Sequence, residues 1–260
     1  MTPVNPVYHP DPDSSREAME AQQRELASEA VFADDGCPDP AAIEVTEPLD
    51  LERQGSPSEE GPIVAGVDQA FEDDMAVSAV VAVQNGQIVE TVCARTPLSI
   101  PYIPGLLAFR EGEPIVEALA SLAVEPDLLV FDGSGRIHYR EAGIATHVGV
   151  LYDVPALGVT KNLLCGTPDR SLEEPLPEGT VVPIRADDEV ETDSGTVIGQ
   201  AVQTRQFPNP EKRHVNPVYV SPGHRVVPDT AVDLVPALGA GYKLPEPIRL
   251  ADRAAGECKR

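Results

Sequence analysis

The sequence has no tryptophan, and only five phenylalanines and six tyrosines among 260 residues. With so few aromatics, one spent on a loop is informative. No apolar run approaches the roughly 18–20 residues a membrane span needs. The start, MTPVNPVYHPDPDSSRE, lacks the basic residues and apolar stretch of a signal peptide. A cytoplasmic chain with no membrane partner is expected, working as a monomer. The four cysteines (Cys37, Cys93, Cys165, Cys258) are far apart and form no CxxC pair, so they read as reduced, incidental thiols.

Positive charge is also scarce. Asp and Glu number 43 against 19 Lys and Arg, a net −24, and only four of the bases are lysine. Read alone, this argues against a nucleic-acid partner, because phosphate binding normally uses a basic surface. The distribution softens that objection: residues 1–60 hold 15 acids and 3 bases, a net −12 and half of the whole excess. A lysine-poor acidic surface suits a salt-loaded cytoplasm, where hydrated carboxylates keep a protein soluble. The charge therefore reads as the mark of a halophile rather than of a function.

Two parts are expected: an acidic, partly helical extension over 1–60 and an α/β domain over 61–260. In the extension, 1–13 and 33–61 read as loop or disorder, and Ser14 or Ser15 caps a helix running to about Phe32. From Pro62 the pattern changes. PIVAGVDQAF reads as a buried strand, and strands 75–84 and 87–96 are joined at Asn85-Gly86, a strong hairpin signal. A helix over about 105–124, a strand 127–133, a helix near 141–151 and a strand 155–161 follow. After an acidic, proline-rich connection (166–195) come strands 196–205 and 215–221 and helices near 229–240 and 246–257. Three antiparallel strands followed by parallel α/β units is the order of a ribonuclease H-like mixed sheet flanked by helices. In that order the first and fourth strands are neighbours, and each ends here in an aspartate, Asp68 and Asp132.

An acid ending one strand is usually a turn former. Two on adjacent strands repel one another and need a proton, a base or a cation. Magnesium suits them, being a hard ion that keeps waters when held by one or two carboxylates. Glu111 can reach the same edge. In PYIPG, Pro101 and Pro104 stiffen the backbone around Tyr102 and Ile103, and Gly105 closes the turn; such a loop makes a good wedge. Glycines after Asp132 allow close approach to a base or phosphate, with His138 as a contact and His147 as a packed helix residue. Lys161 ends a strand at the same edge, and His224 follows another strand as a proton acceptor or water-orienting group.

In this order, GVDQAF, PYIPGLLAFRE, VFDGSGRIHYREAGIATHVG, GVTKNLLCG, YVSPGH and GYKLPEPIRLAD closely resemble the endonuclease V family. The likeness covers about half the chain. It implies that Asp68 and Asp132 bind metal, that Glu111, Lys161 and His224 are further active-site residues, that Tyr102 fills the wedge, and that His138 borders the base pocket. It further implies a Mg2+-dependent endonuclease, with Mn2+ able to substitute, that recognises hypoxanthine. Cleavage is expected at the second phosphodiester 3′ to deoxyinosine in DNA, leaving 3′-hydroxyl and 5′-phosphate ends; the alternative substrate is inosine in RNA. An actin-like or sugar-kinase fold fits less well, because Gln69-Ala70-Phe71 follows Asp68 where a phosphate turn needs small residues. A binding module without catalysis would have to lack a carboxylate that is present here.

The charge generates a test. At about 0.1 M salt the Debye length is near 10 Å, and at about 1 M it is near 3 Å. Folding and cleavage should therefore persist or peak in molar KCl at fixed magnesium. Activity highest below about 0.1 M and falling steadily above it would overturn the halophile reading.

Overall fold

The computed structural model describes residues 1–259. Strands β1 (Val64–Glu72), β2 (Met75–Gln84) and β3 (Gln87–Pro97) form an antiparallel meander. Asn85 and Gly86 between the last two have φ of 50° and 66°, the positive values that tight hairpin turns require. Helix α2 (Leu107–Ser121) leads into β4 (Leu128–Phe131), and α3 (Ile144–Tyr152) into β5 (Ala156–Thr160). β4 pairs in parallel with both β1 and β5. The chain continues through β6 (Thr167–Pro168), β7 (Val181–Arg185), β8 (Val197–Val202) and β9 (Val218–His224). Helices α4 (Pro228–Ala237) and α5 (Glu246–Cys258) close it.

All nine strands make one sheet in the order β3-β2-β1-β4-β5-β9-β8-β7-β6. Its first five positions are the ribonuclease H-like arrangement expected from the element order. One face packs under α2 and α3, where Ala65, Val67 and Phe131 meet Ile115, Leu119 and Val148. The other packs under α4 and α5, where Val64, Val81 and Val130 meet Leu234, Ile248 and Ala251. At Gly66 the α5 backbone comes so close that a Cβ would lie 2.1 Å from the Pro247 carbonyl carbon. Only glycine lets α5 sit this low over β1. No helix of the described residues is long and apolar enough to cross a membrane.

Three expectations need correcting. The 166–195 connection carries strands of its own: Val181–Arg185 pairs with β8 despite Pro183. Its other neighbour, β6, is two residues long, so β7 is nearly an edge strand, where proline is tolerated. The cysteines are not all free thiols, since Cys93 on β3 is joined to Cys258 on α5, 165 residues away. No local spacing marks such a pair. Segments 1–13 and 33–61, expected as loop or disorder, are mostly loop with short 3-10 turns at Pro6–Tyr8 and Pro40–Ala42, but they are not disordered: they pack against the sheet and helices. The Met1 amine donates to Leu119 O, Asn5 Nδ2 to Val150 O, and the Leu49 amide to Glu246 Oε2. Their apolar anchors, among them Tyr8, Ile43, Val45, Leu49 and Leu51, are irregularly spaced, so a search for apolar periodicity misses them.

Helix α1 (Arg16–Glu29) is capped by Ser15, whose Oγ accepts from the Ala18 amide at 3.2 Å. It docks through Met19, Gln23 and Leu26, and Leu26 is fully buried against Ala142 and Val150. Leu26→Ala should lower stability by about 2–5 kcal/mol, the usual cost of emptying a leucine site. A denaturant midpoint close to wild type would mean that α1 is not docked in solution.

Candidate active site

Parallel pairing sets the site. Val67 lies opposite Phe131 on β4, and the Asp132 amide donates to Val67 O at 3.0 Å. The next residues, Asp68 and Asp132, therefore sit side by side at the same sheet edge. Lys161 follows β5, the next strand across, and its Nζ donates to Asp132 Oδ2 at 3.3 Å. Glu111 comes from α2 above. Asp68, Glu111 and Asp132 together line one small cavity of about 10 Å³, room for about one water-sized occupant.

The electrostatics of this corner are strained. Burial, then the charge of Asp132, pushes the Asp68 carboxyl up to about 7, although its Oδ1 accepts from the Gln69 amide at 2.6 Å. Burial likewise raises Glu111 to about 7, against the pull of Arg110, whose Nη1 lies 2.8 Å from Glu111 Oε1. Burial works against the Lys161 charge, but Asp132, Asp68 and Asp252 outweigh it and raise its pKa. A divalent cation would relieve this repulsion. Among the described residues no three His, Cys, Asp or Glu side chains close around one point. Two convergent carboxylates with the remaining positions open to water is a donor set magnesium accepts.

Sequence motifs alone do not single out Asp252. It ends the segment GYKLPEPIRLAD on α5, and its charge raises both Asp68 and Lys161. The available signal was the apolar stripe of Ile248, Ala251 and Ala255, which seats α5 on the sheet and leaves Asp252 beside it.

The stiff loop stands beside the carboxylates. Tyr102 is 63% exposed, and Pro101 and Pro104 are also exposed. Ile103 instead turns inward with Ile100, against Met19, Leu106 and Phe109. Of the Tyr102–Ile103 pair, Tyr102 alone is therefore presented. Gly105 has φ +80°, and a Cβ there would lie 3.0 Å from the Tyr139 ring. Its carbonyl accepts twice, from Gln23 Nε2 at 2.7 Å and from His138 Nε2 at 3.0 Å. His138 is buried, and burial pushes its pKa down to about 4. Its Nδ1 accepts from the Arg140 amide, so the ring hydrogen lies on Nε2 and is donated to Gly105. His138 thus holds the PYIPG loop in position. Arg140 Nη1 donates to Gln23 Oε1 at 3.0 Å and Nη2 pairs with Glu20 at 2.9 Å, which ties α1 into the same bracket. Tyr102, Gly105, Ser134, His138, Gly143 and Leu164 border a cavity of about 70 Å³.

His224 is not brought to this edge. β9 runs antiparallel to β5, and His224 pairs with Ala156 at the start of β5, so the strand delivers it to the opposite end of the sheet. There its Nδ1 accepts from the Val31 amide and its Nε2 donates to Asp153 Oδ1 at 3.1 Å. The expectation of a water-orienting role is corrected to that of a junction between α1, α3 and β9. His147 is a packed helix histidine, fully buried and donating to Tyr8 O at 2.7 Å.

The endonuclease V family model matches residues 45–253. An endonuclease V of the halophilic archaeon Halobacterium salinarum is 54% identical over 262 residues, covering 99% of both chains. The crystal structure of endonuclease V from Bacillus subtilis superposes with a TM-score of 0.78 at 26% identity, covering 100% of this chain and 97% of that one. That of Ciona intestinalis endonuclease V, in complex with a 24mer DNA containing an inosine followed by a ribo-adenosine, gives 0.70 at 25% identity, covering 94% and 97%. Two adjacent aspartates where the β1–β4 pairing stops, a braced PYIPG loop and these likenesses along nearly the whole chain lead to one conclusion: this chain belongs to the endonuclease V family of nucleases.

Proposed function

We propose that the chain cuts nucleic acid beside a deaminated purine, hydrolysing the second phosphodiester 3′ to deoxyinosine and leaving 3′-hydroxyl and 5′-phosphate ends. The observation that carries this reading is the placing of Asp68 and Asp132 side by side, next to a loop-walled cavity that Tyr102 overhangs. Asp68 and Asp132 would hold Mg2+, or Mn2+ in its place. A bound cation of this kind supplies Lewis-acid polarisation of a phosphate and lowers the pKa of a coordinated water.

The chain's own residues do the rest. With its pKa raised to about 7, Asp68 is about half protonated near neutrality and would have to give up that proton to hold a cation. Lys161 keeps a positive charge beside Asp132, placed to meet a phosphate oxygen. Glu111, held by Arg110, faces the same small cavity and orients a water there. Tyr102 fills the gap left by an extruded base, and extrusion is cheapest for a mismatched or damaged one. Gly105, held by His138 and Gln23, keeps one wall of the cavity rigid. Donors that suit the hypoxanthine carbonyl would face adenine's amine unpaired, costing about 1–3 kcal/mol per buried group.

A nicking assay on inosine-containing and matched adenosine-containing duplexes tests the reading, with inosine RNA as a parallel arm because the Ciona complex carries a ribo-adenosine after its inosine. Asp68→Asn and Asp132→Asn should each lose at least about 100-fold in rate, since even changes behind a metal ligand cost about 10–100-fold. A folded variant cutting near the wild-type rate would sink the assignment. Stability supplies a second readout. The folded pKa of Asp68 lies above its ordinary 3.8, so its protonated form favours folding; that contribution is complete below 3.8 and is lost as pH rises through about 7. Without divalent cations, Asp68→Asn should therefore raise Tm above wild type more at pH 8 than at pH 5.

Tyr102→Ala should weaken cleavage of duplex inosine more than that of single-stranded inosine. The difference should be about 5- to 150-fold, corresponding to about 1–3 kcal/mol for one base–aromatic stack. Equal losses on both would point to a packing role.

A further inference from the structure

In a chain with 43 acids and 19 bases, a base without an acidic partner is unusual. Of the 18 Lys and Arg that remain when the undescribed Arg260 is set aside, eleven form ion pairs. Of the seven that do not, four (Arg205, Lys212, Arg213 and Lys243) occupy one flank. Three belong to the loop between β8 and β9, RQFPNPEKRH, where Glu211 is the one acid.

This loop has a fixed base. Gln203 Nε2 donates to both Arg205 O and Val215 O at 2.7 Å, and Gln206 Oε1 accepts from the Val215 amide at 3.0 Å. The Phe207 ring is flanked by two guanidiniums, Arg213 at 4.3 Å and Arg205 at 5.4 Å from its centroid. Lys212 and Arg213 are exposed. The acids nearby are otherwise engaged or stand off: Glu178 accepts from the Gln206 amide, and Glu173 and Glu174 line a crevice beside His214 without pairing. Lys243 joins the group through its carbonyl, which accepts from Thr204 Oγ1 at 2.6 Å.

Strand register places the flank relative to the carboxylates. Thr160, just before Lys161, pairs with Tyr219, and Val218 pairs with Val202. The β8–β9 loop therefore opens at the same sheet edge as Asp68, Asp132 and Lys161. Lys243 is close enough to Lys161 to feel its charge, which, after burial, lowers the Lys243 pKa. β8 is three strands from β4, about 14 Å at about 4.8 Å per strand, or about four nucleotides at a rise of 3.4 Å each.

We propose that Lys243, Arg205, Arg213 and Lys212 form a phosphate-binding surface that takes the backbone of the substrate strand beyond the carboxylate edge. The Phe207 ring holds two of the guanidiniums in register. This rests on the reading of the chain as a nuclease and adds a contact surface remote from the lesion. It also answers the charge objection: the molecule repels phosphates overall but leaves one lane of unneutralised cations beside its catalytic edge.

The test is binding of an unmodified single strand, long enough to span pocket and flank, by fluorescence anisotropy in EDTA across a KCl series. Lys212→Gln/Arg213→Gln should weaken binding and flatten the plot of log K against log[KCl] by about 1.4, since each single-strand phosphate that a cation neutralises contributes about 0.7 to the slope. Arg53→Gln, an exposed base whose neighbour Gln54 bridges to Ile88 at the far end of β3, should leave the slope unchanged. Unchanged slope and affinity in the double variant would overturn the proposal. Cleavage of an inosine strand by the wild type with Mg2+ is scored separately. A protein that cuts but shows no slope change loses only the flank, whereas one that binds as expected but never cuts loses the catalytic assignment.

Discussion

The parallel pairing of β1 with β4 is the constraint on which the site depends. Each strand is a short buried apolar run, and register puts Val67 opposite Phe131, so the next residues emerge together at one edge. A shift of one residue would turn one carboxylate to the opposite face of the sheet. The register is secured from both sides, by α2 and α3 on one face and by α5, seated low over Gly66, on the other. Packing free energy thus holds two like charges beside each other in a partly buried corner: burial, then the Asp132 charge, raises Asp68, and burial raises Glu111.

What is legible in the sequence follows the range of the interactions. The hairpin at Asn85-Gly86 and the Ser15 cap rest on local chemistry and appear where expected. Asp132 does follow β4, but β1 runs on to Glu72, so Asp68 marks the end of the pairing with β4 rather than the end of its own strand. His224 does not appear where expected: the residues around it read as a strand end, but which end of the sheet that strand reaches depends on the antiparallel pairing of β9 with β5, a relation between segments sixty residues apart. The Cys93–Cys258 link and the role of Asp252 are non-local in the same way. The N-terminal segments escape for another reason. They are held by amide and carboxylate contacts such as Leu49 to Glu246 together with scattered apolar residues such as Val45 and Leu51, and irregular spacing leaves no apolar period in the sequence.

Arginine has divided labour in this chain. Arg16, Arg24, Arg140 and Arg225 are spent on neighbouring carboxylates, as expected where acids outnumber bases more than two to one. Surface pairs of this kind contribute little each to stability, but they consume cations. Net charge is therefore a poor guide to where an anion can land; the local balance of paired and unpaired bases is the informative quantity.

The bracket around Gly105 has a consequence for how much of the chain the wedge needs. The family model's match starts at residue 45, and a boundary drawn there would leave out α1 altogether. Yet α1 contributes Gln23 to the carbonyl that fixes the PYIPG loop, Glu20 to the arginine behind it, and Met19 to the cluster beneath it. A protein trimmed to the matched region would keep every carboxylate and still release the loop from half of its scaffold. The mechanical unit is longer than the stretch the family model matches: the first helix serves as the abutment against which a loop eighty residues later is set.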